Sequence, residues 1–329
     1  MITEIEKITD ESVKKAAKIL RSGGIIGMPT ETVYGLAAAG TIPSAVKEVF
    51  VVKGRPNDNP LIAHVHKSYD IEKLVEVERD YVYKLKKLFT PGPLTMVMKS
   101  RGVVCDEATC GGDTLAIRIP SHEGCQKLLR EVDLPIVAPS ANLSKHTSPV
   151  TAEHVFNDLN GKIPLILDGG KCTGGIESTV LDVTGEVPRI LRAGLITKEM
   201  IENAVGACVV AEHKAGDKIK SPGVKYTHYK PRCDTCLYKE NEIEKAALRY
   251  EEEKAAGRTP YIMCRNAVAE YFNGKNLLNL GDTEEEIAAS LYAALLEGEK
   301  KADIIIAIDM PSEKGVYLGI TNRLRKSCG

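Results

Sequence analysis

Residues 28–36 read MPTETVYGL, where an apolar run meets a glycine. Thr30, Glu31, Thr32 and Tyr34 set hydroxyls and a carboxylate where a strand ends, although a turn needs only glycine, proline or one capping residue. A second cluster, KGRPNDNPLIAH, carries Lys53 and Arg55 two places apart, then Asn59 and His64. Two cations that close in a Gly-Pro loop repel each other unless an anion lies between them. Phosphate suits the gap, because arginine forks onto two oxygens while lysine acts as a point charge; a solvated basic turn is the plainer alternative. APSANLSKHTSP offers Ser140, Asn142, Ser144 and Ser148 on a rigid loop. Such side chains contact ribose and phosphate, and they also bond their own turns. GGIESTVLDV poses the same question at Glu177, Ser178 and Thr179, and RILRAG adds Arg189 and Arg192. Arg118, flanked by apolar residues in LAIRIP, needs a buried anion or a carboxylate partner, and a structural salt bridge meets that need equally well. His64 on an apolar strand reads as a core histidine, and His228 in KYTHY as a surface one.

Several familiar chemistries are excluded. There is no G-x-x-x-x-G-K-[ST]: DGGKCTGG has Cys172 where a hydroxyl should follow the lysine. No G-x-G-x-x-G follows a strand, and H-E-x-x-H and G-x-S-x-G are absent, so a bound nucleotide would not use the common glycine loops. Cys233-Asp-Thr-Cys236 stands alone, whereas a structural zinc site usually takes about four ligands. Two ordinary thiols at a strand entry is the simpler reading, and no metal site is expected in the protein itself. The nine cysteines are scattered through 329 residues, the pattern of reduced cytosolic thiols. A net charge of -1 and a pI near 6.7 argue against coating nucleic acid or an anionic membrane, though not against a local basic pocket. No apolar run approaches the ~18 residues of a membrane span. The charged, amphipathic N-terminus lacks a secretory core. A cytoplasmic protein with no membrane contact is expected.

These residues must be held by elements. Helical spacing covers 10–22, then Gly23-Gly24 stops it. IIGM reads as a strand, Pro43-Ser44 opens a helix ending at Gly54, and PLIAHV is a strand. A helix is predicted over 70–88. FTPGPLTMVMK turns into a strand, and TLAIRIP follows with Thr114, Ala116 and Arg118 on one face. LPIVAPS, PLILDGG, STVLDV and PRILRAG add strands, and TKEMIENAV a closing helix. About seven strands and five helices in irregular order predict one α/β domain with a mixed sheet over 1–205. Residues 206–233 are polar, basic and rich in glycine and proline, a linker. In 234–329, CLYK, helix 241–256, PYIMC, a weak segment, helix 283–300, DIIIAI and a last helix begun by TNRLRK alternate as a small parallel-sheet α/β domain.

Taken together, MPTETVYGL, KGRPNDNPL, PGPLTMVM, LAIRIP, APSANLS…SP, ESTVLDV and ILRAG, in this order and spacing, closely resemble the YrdC-like threonylcarbamoyl-adenylate synthase family. SPGVKYTHYKP and GITNRLRKS resemble its two-domain form. The resemblance covers nearly the whole chain, the second domain mainly at its two ends. It implies a YrdC-like twisted open sheet with a basic concave face, followed through the linker by a smaller Rossmann-like domain. It implies an enzyme, a nucleotidyltransferase, that makes threonylcarbamoyl-AMP and pyrophosphate from L-threonine, bicarbonate or CO2, and ATP with Mg2+. A separate transferase would carry the group to the adenosine beside the tRNA anticodon, with at most transient tRNA contact here.

The resemblance also implies roles. Thr32, His64, Arg118, Ala138 and Ser178 match threonine contacts, Arg118 facing the carboxylate and Thr30, Glu31 and Tyr34 shaping the pocket. Lys53, Arg55, Asn59, Thr114, Ser140, Asn142, Ser148 and Arg192 match the ATP side, with Lys53 and Arg55 catalytic through charge neutralisation. Tyr226, His228 and Tyr229 of the linker would close the pocket, the alternative being an inert tether. One departure is Ala193, where proline is usual after the arginine; the expected consequence is small. Rival readings are an RNA-binding module without ATP turnover, a carbamoyl-transfer enzyme acting on a hydrogenase-maturation thiol, and a scaffold. The second lacks its paired C-x-x-C motifs here, and the third leaves the cations unexplained.

Overall fold

The computed structural model describes residues 1–211 and 229–329. Strands β1 (Glu4–Lys7), β2 (Ile26–Met28), β3 (Gly35–Ala39), β4 (Ile62–His64), β5 (Val75–Glu76), β6 (Leu94–Ser100), β7 (Thr114–Arg118), β8 (Ile136–Val137), β9 (Leu165–Asp168), β10 (Thr179–Asp182), β11 (Arg189–Arg192) and β12 (Val209–Val210) form one mixed, twisted sheet. Its order is β1-β9-β2-β3-β8-β4-β7-β6-β10-β11-β12, with β5 paired to β6. Helices α1 (Asp10–Arg21), α2 (Pro43–Lys53), α3 (Tyr81–Phe89), α4 (Asp106–Thr109), α5 (Glu123–Val132), α6 (Ala152–Leu159) and α7 (Lys198–Val205) accompany it.

Strand alternation sorts the side chains. Ala63, Met96, Met98, Leu115, Ile117, Val137 and Leu181 enter the main core. On the opposite face α1 and α5 bury Ile26, Met28, Ala37, Ala39, Ile136, Leu165 and Leu167. Farther along that face, β4, β7, β6 and β10 present Ile62, Ala116, Val97 and Val180 as a separate apolar strip with Leu191 against it. Arg118 shares this face, two places beyond Ala116.

Several expectations are corrected. The helix expected over 70–88 is a 3-10 turn (Ile71–Lys73), then β5, then α3 beginning only at Tyr81. Val-Glu-Val alternation wins there: Val75 is fully buried and pairs across to Ser100, an edge contact that helical spacing cannot reveal. β1 and β3 were not expected. β1 reads as charged because its side chains are mostly exposed, whereas β3, GLAAA, lacks β-branched residues and exists because both of its neighbours pair with it. β12 extends the sheet through parallel pairing with β11.

The second unit contains β13 (Asp234–Tyr238), α8 (Ile243–Ala255), β14 (Pro260–Cys264), α9 (Asn266–Ala269), β15 (Leu277–Asn279), α10 (Glu284–Lys301), β16 (Ile304–Ile308) and α11 (Val316–Cys328). The four strands run all parallel in the order β13-β16-β14-β15. Ile304, Ile306 and Ile308 face α8, while Ile305 and Ala307 face α10 and α11 in a core continuous with the first domain. α11 starts at Val316, five residues before the expected Thr321, so Ile320 and Leu324 of its apolar stripe are both buried. α10 opens on a capping box, Thr283 with Glu286. It docks on the loop before β10 so closely that a Cβ on Gly175 (φ +68) would overlap the backbone of Ala288 and Ala289. Among the described residues, no helix is long and apolar enough to cross a membrane.

Candidate active-site cleft

A cleft of about 610 Å3 empty volume opens beside Ile62, its wall including Thr30, Thr32, Arg55, Ile62, His64, Arg118, Ala138, Ser140, Glu177, Ser178, Arg192 and Tyr229. Thr32, His64, Arg118, Ala138 and Ser178 thus come together, as do Arg55, Ser140 and Arg192. His64 and Arg118, 54 places apart in sequence, meet because β4 and β7 run side by side in register with the two residues opposite each other.

The Thr-Glu-Thr stretch is explained by Arg118. Its guanidinium pairs with Glu31 Oε1 at 2.7 Å and donates to Thr32 Oγ1 at 2.7 Å, with the arginine only 4% exposed. Burial opposes the charge on Glu31, but Arg118 outweighs it and lowers the carboxyl's pKa. Thr30 Oγ1 accepts from the amides of Thr32 and Val33 and donates to Val33 O, locking the turn. Tyr34 anchors it from below through its hydroxyl to Gly170 O at 2.7 Å. Arg118 carries five N–H donors, so some remain for an incoming carboxylate. His64 holds Ile62 O at 3.1 Å through Nδ1, and burial, then Arg118, pushes it down to about 3. Its ring is therefore neutral near pH 7, a hydrogen-bonding wall of the cleft.

At the other cluster, Gly54 in the left-handed region (φ 60) ends α2 and throws the chain round. Lys53 and Arg55 consequently part. Lys53 is 3% exposed and lies behind the wall, donating to Ser140 O, to Asn142 O at 2.6 Å and to Asn142 Oδ1 at 3.5 Å. Burial, with Arg55 alongside, pushes its ammonium well below the ordinary value. Asn142 bonds Leu143 O and His146 O. So Lys53 and Asn142 brace the loop that presents Ser140. Arg55 reaches the cleft, donating to Asn59 O at 3.1 Å. Burial lowers its pKa to about 10. Among the described residues its Nε and both side-chain polar atoms of the buried Asn59 have no hydrogen-bond partner. Thr114 stands on the same face as Arg118 but four places away, roughly 13 Å along the strand, and is not in the wall.

Arg192 donates from Nε to Ser178 O at 3.1 Å and from NH2 to Ser178 Oγ at 3.2 Å. Ser178 is also held by Thr95 at 2.8 Å. Ser148, behind the wall, donates to Glu177 Oε1 at 2.6 Å. Tyr229 lies in the wall with φ 75, its carbonyl accepting from Thr147 and its ring 5.2 Å from Tyr292. Tyr226 and His228 fall outside the described residues. Sequence reading missed Glu177's partners Tyr292 and Arg323. The available signal was an arginine on the buried stripe of α11, between Ile320 and Leu324.

Chemically, the cleft wall combines three guanidiniums, those of Arg55, Arg118 and Arg192, with the apolar side chains of Val33, Ile62, Ala138 and Pro139. Among the described residues no hydroxyl of the cleft wall is hydrogen-bonded to a histidine. Among the described residues no group of histidine, cysteine, aspartate or glutamate could hold a metal, and the acids Glu31 and Glu177 both engage arginines.

A family model described as Telomere recombination (Sua5, YciO and YrdC proteins) matches residues 18–194, and one described as Threonylcarbamoyl-AMP synthase, C-terminal domain, matches 196–329. The threonylcarbamoyl-AMP synthase of Pyrococcus abyssi is 38% identical, over 98% of this chain and 96% of its own. That of Bacillus subtilis is 39% identical, over 100% and 96%. The crystal structure of P. abyssi Sua5 complexed with L-threonine superposes with a TM-score of 0.90, covering 99% of this chain and 96% of that one.

Proposed function

The chain belongs to the two-domain threonylcarbamoyl-AMP synthase family, and from that premise we propose how its cleft makes threonylcarbamoyl-AMP from L-threonine, bicarbonate or CO2, and ATP. The supporting observation is the convergence of Thr32, His64, Arg118, Ala138 and Ser178 with Arg55, Ser140 and Arg192 on one cleft.

L-threonine lies at the Arg118 end, its carboxylate on the guanidinium. Its amine nitrogen bonds to the carbon of CO2 with loss of a proton to solvent, or to that of bicarbonate with loss of water, giving a carbamate. A carbamate oxygen attacks the α-phosphorus of ATP, and pyrophosphate leaves with the electron pair of the broken P–O bond. The reaction is a nucleotidyl transfer with no enzyme nucleophile, so catalysis rests on positioning and charge stabilisation. Arg55 and Arg192 meet the phosphates, and Asn59 lies within the same loop. Lys53 acts by fixing Ser140 and Asn142 from behind the wall. Thr114, outside the cleft wall, is given no phosphate contact in this reading. Mg2+ would enter with ATP, held by phosphate oxygens and water, since the cleft's carboxylates are engaged. The adenylate is a mixed anhydride, and the enzyme that consumes it is a transferase modifying the tRNA adenosine beside the anticodon. The nine free thiols support a reducing, cytoplasmic setting.

Pyrophosphate release from ATP is the test, run with bicarbonate and with or without L-threonine. Release should require threonine. Release indifferent to threonine would overturn the substrate assignment.

A further inference from the structure

Beside the pair of Glu177 with Arg323 at 3.0 Å, a second ionic contact joins the domains, gathered on Asp158 of α6. Asp158 is not in the cleft wall, and its side chain is 2% exposed. Its Oδ2 accepts from the amide of Leu143 at 3.0 Å and from Nδ1 of His146 at 2.8 Å, while Oδ1 accepts from NH2 of Arg232 at 2.7 Å. Glu299 of α10 closes the ring: its Oε2 accepts from Nε2 of His146 at 2.8 Å and from the amide of Arg232 at 3.0 Å. Both nitrogens of His146 thus face carboxylate oxygens, so the imidazole donates twice and is charged. Two segments that enter the cleft wall meet at this cluster. One is the loop from Ser140 to Ser148, folded on itself by Asn142 Nδ2 donating to His146 O at 2.7 Å. The other is the stretch 229–232 before β13. Lys230 N donates to Lys145 O at 3.0 Å, His146 and Lys230 form a parallel bridge, and Thr147 Oγ1 donates to Tyr229 O at 3.0 Å. Lys145 (φ 73) and Tyr229 (φ 75) are both left-handed. Residues of that bulk persist there only where their surroundings over-determine them, and the ionic ring borders this pairing on the side of Arg232.

We propose that Asp158 is a positioning residue for the cleft: it fastens the stretch 229–232 to the Ser140–Ser148 loop and so sets Tyr229 and Ser140 in the wall. This rests on the reading of the cleft given above, in which that loop serves ATP. Without the Asp158 charge, His146 and Arg232 lose the group that draws them together, and the two segments part. The Arg118 end has its own anchors in Glu31 and Thr32, so threonine binding should not depend on Asp158.

The test uses the full chain with Asp158→Asn, which keeps the shape and an acceptor for Leu143 but removes the charge, and with Arg232→Met. Dissociation constants for ATP and for L-threonine are taken separately by calorimetry, and KM for ATP and kcat from pyrophosphate release. The rate at which trypsin cuts after Arg232 is followed by mass spectrometry. D158N should weaken ATP binding about tenfold, the worth of one hydrogen bond, and leave threonine binding within about twofold. It should also quicken the cut about tenfold, since cleavage follows the population of the opened form. R232M, changed at a side chain 57% exposed, should show a smaller ATP loss of about threefold, and it serves alone if D158N does not fold. Unchanged ATP affinity in a folded variant, an equal loss for both ligands, or weaker ATP binding in D158N with no faster cut would overturn the inference and leave Asp158 a structural residue. A wild-type protein that binds ATP but shows no threonine-dependent turnover would instead refute the reaction assigned above, and the ATP constants with the tryptic cut would still decide the role of Asp158.

Discussion

Arg118 resolves a choice left open by its sequence. It has a salt-bridge partner, Glu31, and it also lines the cleft. A lysine cannot reproduce its fork, so Arg118→Lys should weaken L-threonine binding roughly ten- to a hundredfold, the loss of a charge-assisted bond or two. Calorimetric titration checks this, and an unchanged constant would remove Arg118 from the carboxylate's place. Lys53 was legible only as one of two closely spaced cations, and not in its direction, because only the left-handed Gly54 shows that it parts from Arg55. Lys53→Ala should lower turnover more than it lowers threonine affinity, since it unfastens the Ser140 loop while leaving Arg118 in place. Equal losses in both would count against that role. Glu177 was legible only as a polar residue before a strand, because its partner Arg323 lies 146 positions away.

At the scale of elements, the strands that floor the cleft were readable from alternation, and α1 and α2 from apolar spacing, Pro43 and Gly54. The helix expected over 70–88 was not, because edge pairing decided it, nor was β3, whose alanines carry no strand signal of their own. The docking of α10 leaves no room for a Cβ at Gly175. Gly175→Ala should cost about 2 kcal/mol or more, combining a left-handed residue with a backbone overlap. Gly257→Ala, also left-handed (φ +79) but with nothing within 4 Å, should cost about 1 kcal/mol. Denaturant titrations of the two compare them directly, and equal costs would mean that α10 does not press on that loop.

For the whole molecule, a second ionic contact joins the domains. His146 Nδ1 meets Asp158 at 2.8 Å and its Nε2 meets Glu299 of α10 at 2.8 Å, while Arg232 adds a bond to Asp158 at 2.7 Å. Burial disfavours the imidazolium, yet the hydrogen bonds it donates to Asp158 and Glu299 raise its pKa from 6.5 to about 9. A raised histidine contributes stability that is full below 6.5 and is lost as pH rises through about 9. The thermal midpoint should therefore fall across that window, and His146→Gln should flatten the fall; an identical slope in the variant would exclude this histidine as the cause. None of this was legible locally, since the residues of the cluster belong to a loop, α6, the stretch before β13, and α10. The account as a whole is tested most directly by mass spectrometry of the products formed from ATP, L-threonine and carbon-13 bicarbonate. It predicts threonylcarbamoyl-AMP carrying the heavy carbon. Pyrophosphate released with AMP alone, or an adenylate without the label, would contradict it.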